Sequence, residues 1–157
     1  MPGEVFFYHL LRRSLDSLAP ELLERSLERG WRVTLRAGSA ERLAALDGWL
    51  WTWREDSWLP HGTSADPEPE RQPIYLTAGA ETPNRPDALL LVDGAEAREA
   101  EIAGLARVMT IFDGRDEAAV EQARAFWRRA VAAGAGAQYW AEDPSGRFQR
   151  KAVSGGA

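Results

Sequence analysis

Residues 73–92 read PIYLTAGAETPNRPDALLLV and contain two short apolar runs, Pro73–Thr77 and Ala88–Val92, with turn-forming residues between them. Neither run alternates apolar with polar side chains, which is typical of strands buried on both faces of a parallel sheet. The run RVMTIF at Arg107–Phe112 has the same character. These three segments predict a mostly parallel central sheet with helices packed on both of its faces.

The segments on either side add strands and helices in alternation. Further strands are expected at Val5–Leu10, Trp31–Arg36 and Gln138–Ala141, with Gly146–Lys151 as a terminal hairpin partner. Helices are expected at Leu15–Arg29, Ser39–Leu50, Arg98–Leu105 and Asp116–Ala133. The polar segment His61–Gln72 is expected to be a loop. The pattern predicts a three-layer, Rossmann-like α/β fold, with a single domain over residues 1–152 and a disordered tail over residues 153–157.

Side chains that commonly cap helix N-termini mark two of the predicted helix starts. Asp16 or Ser17 is expected to cap the first helix, and Ser39 the second. Gly30 follows the first helix at the position where glycine commonly ends one.

The composition excludes several classes of function. The chain has 157 residues, no cysteine and two histidines, so thiol nucleophiles, disulfides and cysteine or histidine metal sites are not expected. No apolar run approaches the roughly 18–20 residues of a membrane span, and no basic leader precedes the first apolar run, so we expect a cytoplasmic protein. The net charge of −5 disfavours direct binding of nucleic acid.

Catalytic motifs are missing at the places where this fold would carry them. The chain contains no GxGxxG or GxxxxGK[ST] phosphate loop and no GxSxG nucleophile elbow, so no catalytic residue, metal or cofactor is predicted. Acidic residues such as Asp93 and Asp113 follow strands, where active-site acids often lie, but they lack a nucleophilic or basic companion at recognisable spacing. Asp116 is explained equally well by the dipole at a helix N-terminus.

Four of the seven tryptophans, Trp49, Trp51, Trp53 and Trp58, fall within one short segment, LDGWLWTWREDSWLPHG at residues 46–62. Tryptophan is a favoured anchor in protein interfaces because it is large, stiff and able to donate a hydrogen bond. The alternative is a bulky core corner where a helix ends. We expect Trp49 in the core, and Trp51 and Trp58 in an exposed patch.

The last long helix carries two apolar stripes and a pair of arginines. On a helical projection one stripe faces the sheet, and it consists of Ala119, Ala123, Phe126, Ala130 and Ala133. Val120, Trp127 and Val131 form a second stripe, with Arg124 and Arg128 just beyond it. One interpretation is a solvated face whose arginines complement the helix dipole. The other is a site for a peptide carboxy terminus that carries an aromatic residue.

Several motifs give the chain a resemblance to a known family. These are FYHL near the start, LERGWRV, ERLAALDGWLW, SWLPHG, LLLVDG, VMTIFDG and ARAFWRRAVAAGAGAQYW. In order and spacing they resemble the chi subunit of bacterial DNA polymerase III across almost the whole chain. That family implies a nucleotide-binding-like fold without catalysis, in an accessory protein of the clamp-loader complex. It bridges the psi subunit to the acidic C-terminal tail of single-stranded DNA-binding protein.

The resemblance also implies roles for particular residues. Arg124, Trp127 and Arg128, with Val120 and Val131, occupy the positions that bind the tail, and Val120 stands where some members have lysine. Trp51 and Trp58, with Pro60 and His61, occupy the positions that face the psi subunit or an XPD-like helicase partner. Two alternatives remain open, namely a degenerate nucleotide-binding α/β enzyme and a structural domain without partners.

Overall fold

The computed structural model describes residues 3–54 and 59–154 and contains the predicted alternation of strands and helices. The strands are β1 Glu4–Leu10, β2 Val33–Ala37, β3 His61–Gly62, β4 Ile74–Thr77, β5 Ala88–Val92, β6 Arg107–Asp113, β7 Gly136–Glu142 and β8 Phe148–Ser154. The helices are α1 Leu15–Glu28, α2 Ala40–Thr52, α3 Glu99–Gly104 and α4 Glu117–Ala132, with a short 3₁₀ turn at Pro69–Arg71.

Within the described residues the strands form one sheet in the order β3-β4-β2-β5-β6-β1-β7-β8. Every neighbouring pair is parallel except β7 and β8, which are antiparallel. The mostly parallel α/β fold predicted from the sequence is therefore confirmed. Among the described helices, none is long and apolar enough to cross a membrane.

The central strand β5 shows why its sequence is continuously apolar. All five of its residues are buried. Leu90 and Val92 enter one core, together with Leu18 of α1 and Leu46 of α2. Leu89 and Leu91 enter a second core on the other face, with residues of α3 and α4. Successive side chains of a strand point to opposite faces, so a strand covered on both sides has no polar position to alternate with.

The first helix begins at Leu15, as the sequence predicted, but its cap is a different residue. Ser14 caps α1, and its side chain accepts a hydrogen bond from the backbone N–H of Ser17, so the prediction of Asp16 or Ser17 as the cap is wrong. The reason lies in the preceding loop, where the buried carboxylate of Glu142 accepts backbone N–H bonds from residues 11, 12 and 13. These hydrogen bonds fix the loop, and Ser14 follows it as the cap of the helix. The prediction of Ser39 as the cap of α2 is confirmed.

Two boundaries differ from the expected ones. The predicted loop over residues 61–72 begins with β3, which pairs His61 with Ile74 at the edge of the sheet. At the other end, β8 extends to Ser154, and its last residues pair with Ala137 and Gln138 of β7. Val153 and Ser154 thus belong to the sheet rather than to a disordered tail, and residues 155–157 lie outside the described residues.

Candidate partner-binding surfaces

Helix α4 lies against the sheet through the stripe of small and aromatic residues that the projection identified. Ala123, Phe126 and Ala130 are buried, whereas Ala119 and Ala133 are half-buried near the two ends of the helix. The side chain of Asp116 caps the helix by accepting hydrogen bonds from the backbone N–H groups of residues 118 and 119. This orientation turns the second stripe and the arginines away from the core.

The five predicted tail-binding residues, which we call the α4 surface, are Val120, Arg124, Trp127, Arg128 and Val131. Val120 and Trp127 are half-buried, and Val131 is 39% exposed. The ring centroid of Trp127 lies 5.4 Å from that of Phe7 on β1 and 6.1 Å from that of Tyr139 on β7. Trp127 therefore forms a fixed apolar shelf whose inner side belongs to the second core.

The two arginines of the α4 surface have different surroundings. Arg124 is exposed and its Nη1 lies 2.9 Å from a carboxylate oxygen of Glu121. Arg128 is also exposed, and in the part of the chain that the structure describes its guanidinium has no ion pair or hydrogen bond. An exposed pair such as Arg124–Glu121 contributes only about 0–1 kcal/mol, so a stronger anion displaces the carboxylate at little cost. Arg128 can bind an anion without displacing a carboxylate of the described residues.

Sequence reasoning missed the residues that support Trp127 from below. His9 of β1 accepts or donates a 2.7 Å hydrogen bond between its Nδ1 and the Tyr139 hydroxyl, and its ring packs against Phe112. Gly114 lies directly against the His9 ring, where a Cβ would overlap it. The motifs FYHL and AQYW contain these aromatic residues, and the parallel register of β1 and β7 sets Phe7 beside Tyr139. The sequence alone does not give that register.

The electrostatics of this cluster follow from its burial. The pKa of His9 is lowered from 6.5, first by burial and further by the charge of Arg124, while Asp113 opposes the shift. Burial raises the pKa of Tyr139 above its usual value, and the charge of Arg124 acts in the opposite direction. His9 is therefore neutral at pH 7, and the positive charge of the α4 surface comes from its guanidinium groups.

The second candidate surface lies at the opposite end of the sheet, beside β3. Trp51, in the last turn of α2, is 56% exposed, and its ring centroid lies 4.2 Å from that of His61. Pro60 next to it is half-buried. We call Trp51, Pro60 and His61 the Trp51 surface. Trp58, the other predicted anchor, lies outside the described residues.

His61 supports the Trp51 surface rather than forming its outer part. Its side chain has no exposed area, so the expectation that it touches a partner directly is corrected. Nδ1 is hydrogen-bonded to the carbonyl of Leu59 at 2.7 Å, and Nε2 lies 3.0 Å from a carboxylate oxygen of Asp47. Both ring nitrogens are thus held, and the ring forms a rigid base under Trp51.

The expectation that Trp49 lies in the core is also wrong. Trp49 is 37% exposed, and its Nε1 donates to the carbonyl of Asp16 at 2.7 Å, which ties α2 to α1. Among the described tryptophans of this segment, Trp53 packs partly into the first core. Trp53 is the C-cap residue, where the chain leaves α2, whereas Trp49 lies within the helix.

A crevice of about 680 Å³ opens at the carboxyl ends of β1, β5 and β6, where ligands bind in many open α/β sheets. Its walls carry charges of both signs, with the carboxylates of Asp93, Asp113 and Asp116 beside the guanidinium groups of Arg13, Arg42, Arg115 and Arg129. Ser14 and Asp116 already occupy the N-terminal amides of α1 and α4, and Asp93 lies in the same crevice. Hydrogen bonds from Arg115 lower the pKa of Asp113, so that carboxylate is charged as well.

Within residues 3–54 and 59–154 no group of three or more His, Asp or Glu side chains is placed to hold a metal ion.

Comparison with known proteins identifies the family of this chain. Residues 2–138 match the family model described as DNA polymerase III chi subunit, HolC. The chain is also similar to a protein named "Probable DNA polymerase III subunit chi" from Rickettsia prowazekii (strain Madrid E), with 26% identity over 85 residues that cover 54% of this chain and 52% of the relative. The chain spans about half the length of that relative. The family match runs from the start of the first strand into β7, and the chain therefore belongs to the DNA polymerase III chi subunit family, a family of replication accessory subunits.

Proposed function

We propose that this chain is a non-catalytic, cytoplasmic accessory subunit that bridges the clamp-loader complex of DNA polymerase III to the C-terminal tail of single-stranded DNA-binding protein. It acts as a single α/β domain with one surface for each neighbour. The family match supports the link to the polymerase.

The observation that carries the proposal is the position of Arg128, exposed and without an ion-pair partner among the described residues, one residue after the half-buried Trp127. A tail that ends in phenylalanine with a free carboxylate fits this pair, since the ring lies on the apolar shelf and the guanidinium binds the carboxylate. A charge-assisted hydrogen bond of this kind contributes roughly 1.5–3 kcal/mol. Val120, where some family members have lysine, adds apolar contact instead of a further charge.

The Trp51 surface is proposed to hold the second partner, a psi subunit of the clamp loader or an XPD-like helicase. Trp51 and Pro60 would make the contact, together with Trp58, and His61 would fix the orientation of Trp51. An exposed ring held over a fully buried histidine is pre-organised, so its burial by a partner costs little conformational entropy. The two surfaces lie at opposite ends of the sheet, which allows both partners to bind at once.

The test of the tail site is calorimetry with an acidic peptide that ends in phenylalanine, prepared with a free and with an amidated carboxy terminus. Arg128→Ala is expected to lower affinity for the free-acid peptide about tenfold or more, corresponding to roughly 1.4 kcal/mol. Amidation should cause a similar loss, and salt should weaken binding because the site is open to solvent. Arg71→Ala is the matched control, because Arg71 is an exposed arginine distant from α4 in the chain.

Equal affinities for the two peptides, or normal binding by Arg128→Ala, would remove α4 from the binding site. The alternatives are tested on the same protein. Saturable binding of ATP or NAD would support a degenerate nucleotide-binding enzyme. Tight binding of single-stranded DNA at physiological salt, with a steep salt dependence, would contradict the expectation that contact with DNA runs through the tail-bearing protein.

A further inference from the structure

A cluster of arginines lies away from both tryptophan surfaces, where the C-terminal turn of α1 meets the start of β6. The Cζ atom of Arg107 lies 3.9 Å from the ring centroid of Phe6 and 5.2 Å from that of Trp31. The Cζ atom of Arg29 lies 5.0 Å from the same Trp31 ring. Two guanidinium groups are therefore held at one aromatic ring, in spite of their like charge.

These positive charges are poorly compensated by the chain itself. The carboxylate nearest to Arg107 is that of Glu4, which is half-exposed and 3.7 Å away, a distance too long for a hydrogen bond. The Nε atom of Arg107 is buried and has no hydrogen-bond partner among the described residues. Among the described residues, Arg29 has no ion pair. A buried donor without an acceptor costs about 1–3 kcal/mol. Because this Nε is buried, a bound anion would meet the Nη groups of Arg107, whose side chain is 17% exposed.

Tyr8 brings a hydroxyl group to the same cluster. Its neighbours include Arg107, Arg25 and Arg29, whose charges all act on it, although burial is the larger influence and raises the pKa of Tyr8 above its usual value. Its hydroxyl makes no hydrogen bond within the described residues. Tyr8 is thus a neutral donor on the same strand as Phe6, with its ring centroid 6.4 Å from that of Phe6.

The dipole at the C-terminus of α1 accounts for the positions of Arg25 and Arg29, but not for Arg107, which comes from a different element and lies against both rings. Burial lowers the pKa of Arg107, and the nearby charge of Arg29 lowers it further. Aromatic rings that already carry guanidinium groups offer no free face for stacking a base. What the cluster offers is hydrogen-bond donors and positive charge.

We propose that Arg29, Arg107 and the Tyr8 hydroxyl, with Arg25 beside them, bind a phosphate group. Arg25 is already paired with Glu21 at 3.4 Å, so Arg29 and Arg107 supply the two positive charges, against the carboxylate of Glu4 at 3.7 Å. Two guanidinium groups suit a dianion better than a monoanion, and their planar donors match phosphate oxygens in pairs. The ligand is therefore an inorganic or terminal phosphate rather than the backbone of a nucleic acid strand. This proposal does not depend on the function proposed for the α4 surface.

The test is an NMR titration of the full chain with inorganic phosphate, with sodium chloride at matched ionic strength as the reference. The arginine Nε–Hε resonance of Arg107 should shift saturably with phosphate and little with chloride. Arg29→Gln should weaken phosphate binding at least fivefold, and Tyr8→Phe about threefold. Arg71→Gln and Arg128→Gln are the controls and should bind phosphate as the unaltered chain does.

Arg25→Gln provides a second variant at an exposed position, so a folding defect in one variant leaves the test intact. Equal shifts in phosphate and chloride would overturn the proposal, as would loss of binding in Arg128→Gln with normal binding in Arg29→Gln. A short oligothymidylate with a 5′-phosphate should compete with inorganic phosphate, and the same oligonucleotide without it should not. Equal competition by both would show that the cluster binds diesters and would overturn the preference for a dianion.

Discussion

Trp51 and Trp127 stand at the centres of the two candidate surfaces, and they are held in different ways. Trp51 is more than half exposed, and among the described residues its ring contacts that of His61. Trp127 is half-buried and contacts the aromatic cluster formed by Phe7 and Tyr139. Trp51 therefore lies on the surface, whereas Trp127 forms the outer layer of the second core.

The difference follows from where each residue lies in its helix. Trp51 comes in the last turn of α2 and contacts His61 of the short edge strand β3. Trp127 lies in the second half of α4, which packs on β6 and β7. We infer that the α4 surface is rigid because its inner side packs into the core. Residues of the Trp51 surface, by contrast, can be substituted without loss of stability.

The largest expected effect is on stability. Trp127→Ala should lower the free energy of unfolding by about 3 kcal/mol, because it removes a ring that the core packs against. Trp51→Ala should change it by no more than about 0.5 kcal/mol, as exposed substitutions do. Urea unfolding followed by circular dichroism measures both. Similar losses of unfolding free energy in the two variants would show that the two tryptophans contribute equally to the fold.

The next effect is on partner binding. Trp51→Ala should weaken the complex with the second partner by about 2 kcal/mol, which is the scale of an interface hot spot and close to a thirtyfold loss of affinity. Trp51→Phe keeps an aromatic ring over His61 and should lose much less. The measurement is titration calorimetry with a purified psi subunit. If Trp51→Ala unfolds the chain or binds normally, the Trp51 surface is not an anchor.

The same contrast shows what could be read from the sequence. The sheet, the helices and the inward stripe of α4 follow from apolar periodicity, and the structure confirms them. The roles of Trp49 and Trp53 were not predictable, because they depend on where α2 ends and on its contact with α1. The cap at Ser14 was missed for a similar reason, since the loop before it is fixed by Glu142, about 130 residues further along the chain.

The arginine cluster illustrates the limit most clearly. Phe6, Trp31 and Arg107 are unremarkable in their separate segments, and no spacing rule connects them. They meet because β1 pairs with β6 in a register that places Phe6 near Arg107 and because the chain returns past both after α1. Local patterns identify elements and faces, whereas sites built from several strands require the strand order.

The smallest expected effect concerns pH and separates the two surfaces again. If the α4 surface is part of the core, His9 beneath it must be linked to folding. Its pKa is lowered in the folded chain, mainly by burial, so the unfolded chain takes up a proton first as the pH falls. Stability from this group is complete above pH 6.5 and is lost as the pH falls from 6.5 through the lowered folded value.

The expected loss is less than about 1 kcal/mol, because the His9 ring is only partly buried and solvent screens its charge. Urea unfolding at pH 7.5 and pH 5 measures it in a range where most carboxylates stay ionised. His9→Gln removes the titrating group, so the loss over that range should become smaller than in the unaltered chain. An unchanged loss would show that the cluster beneath Trp127 is not linked to protonation, and the α4 surface would then resemble the Trp51 surface more closely than its packing suggests.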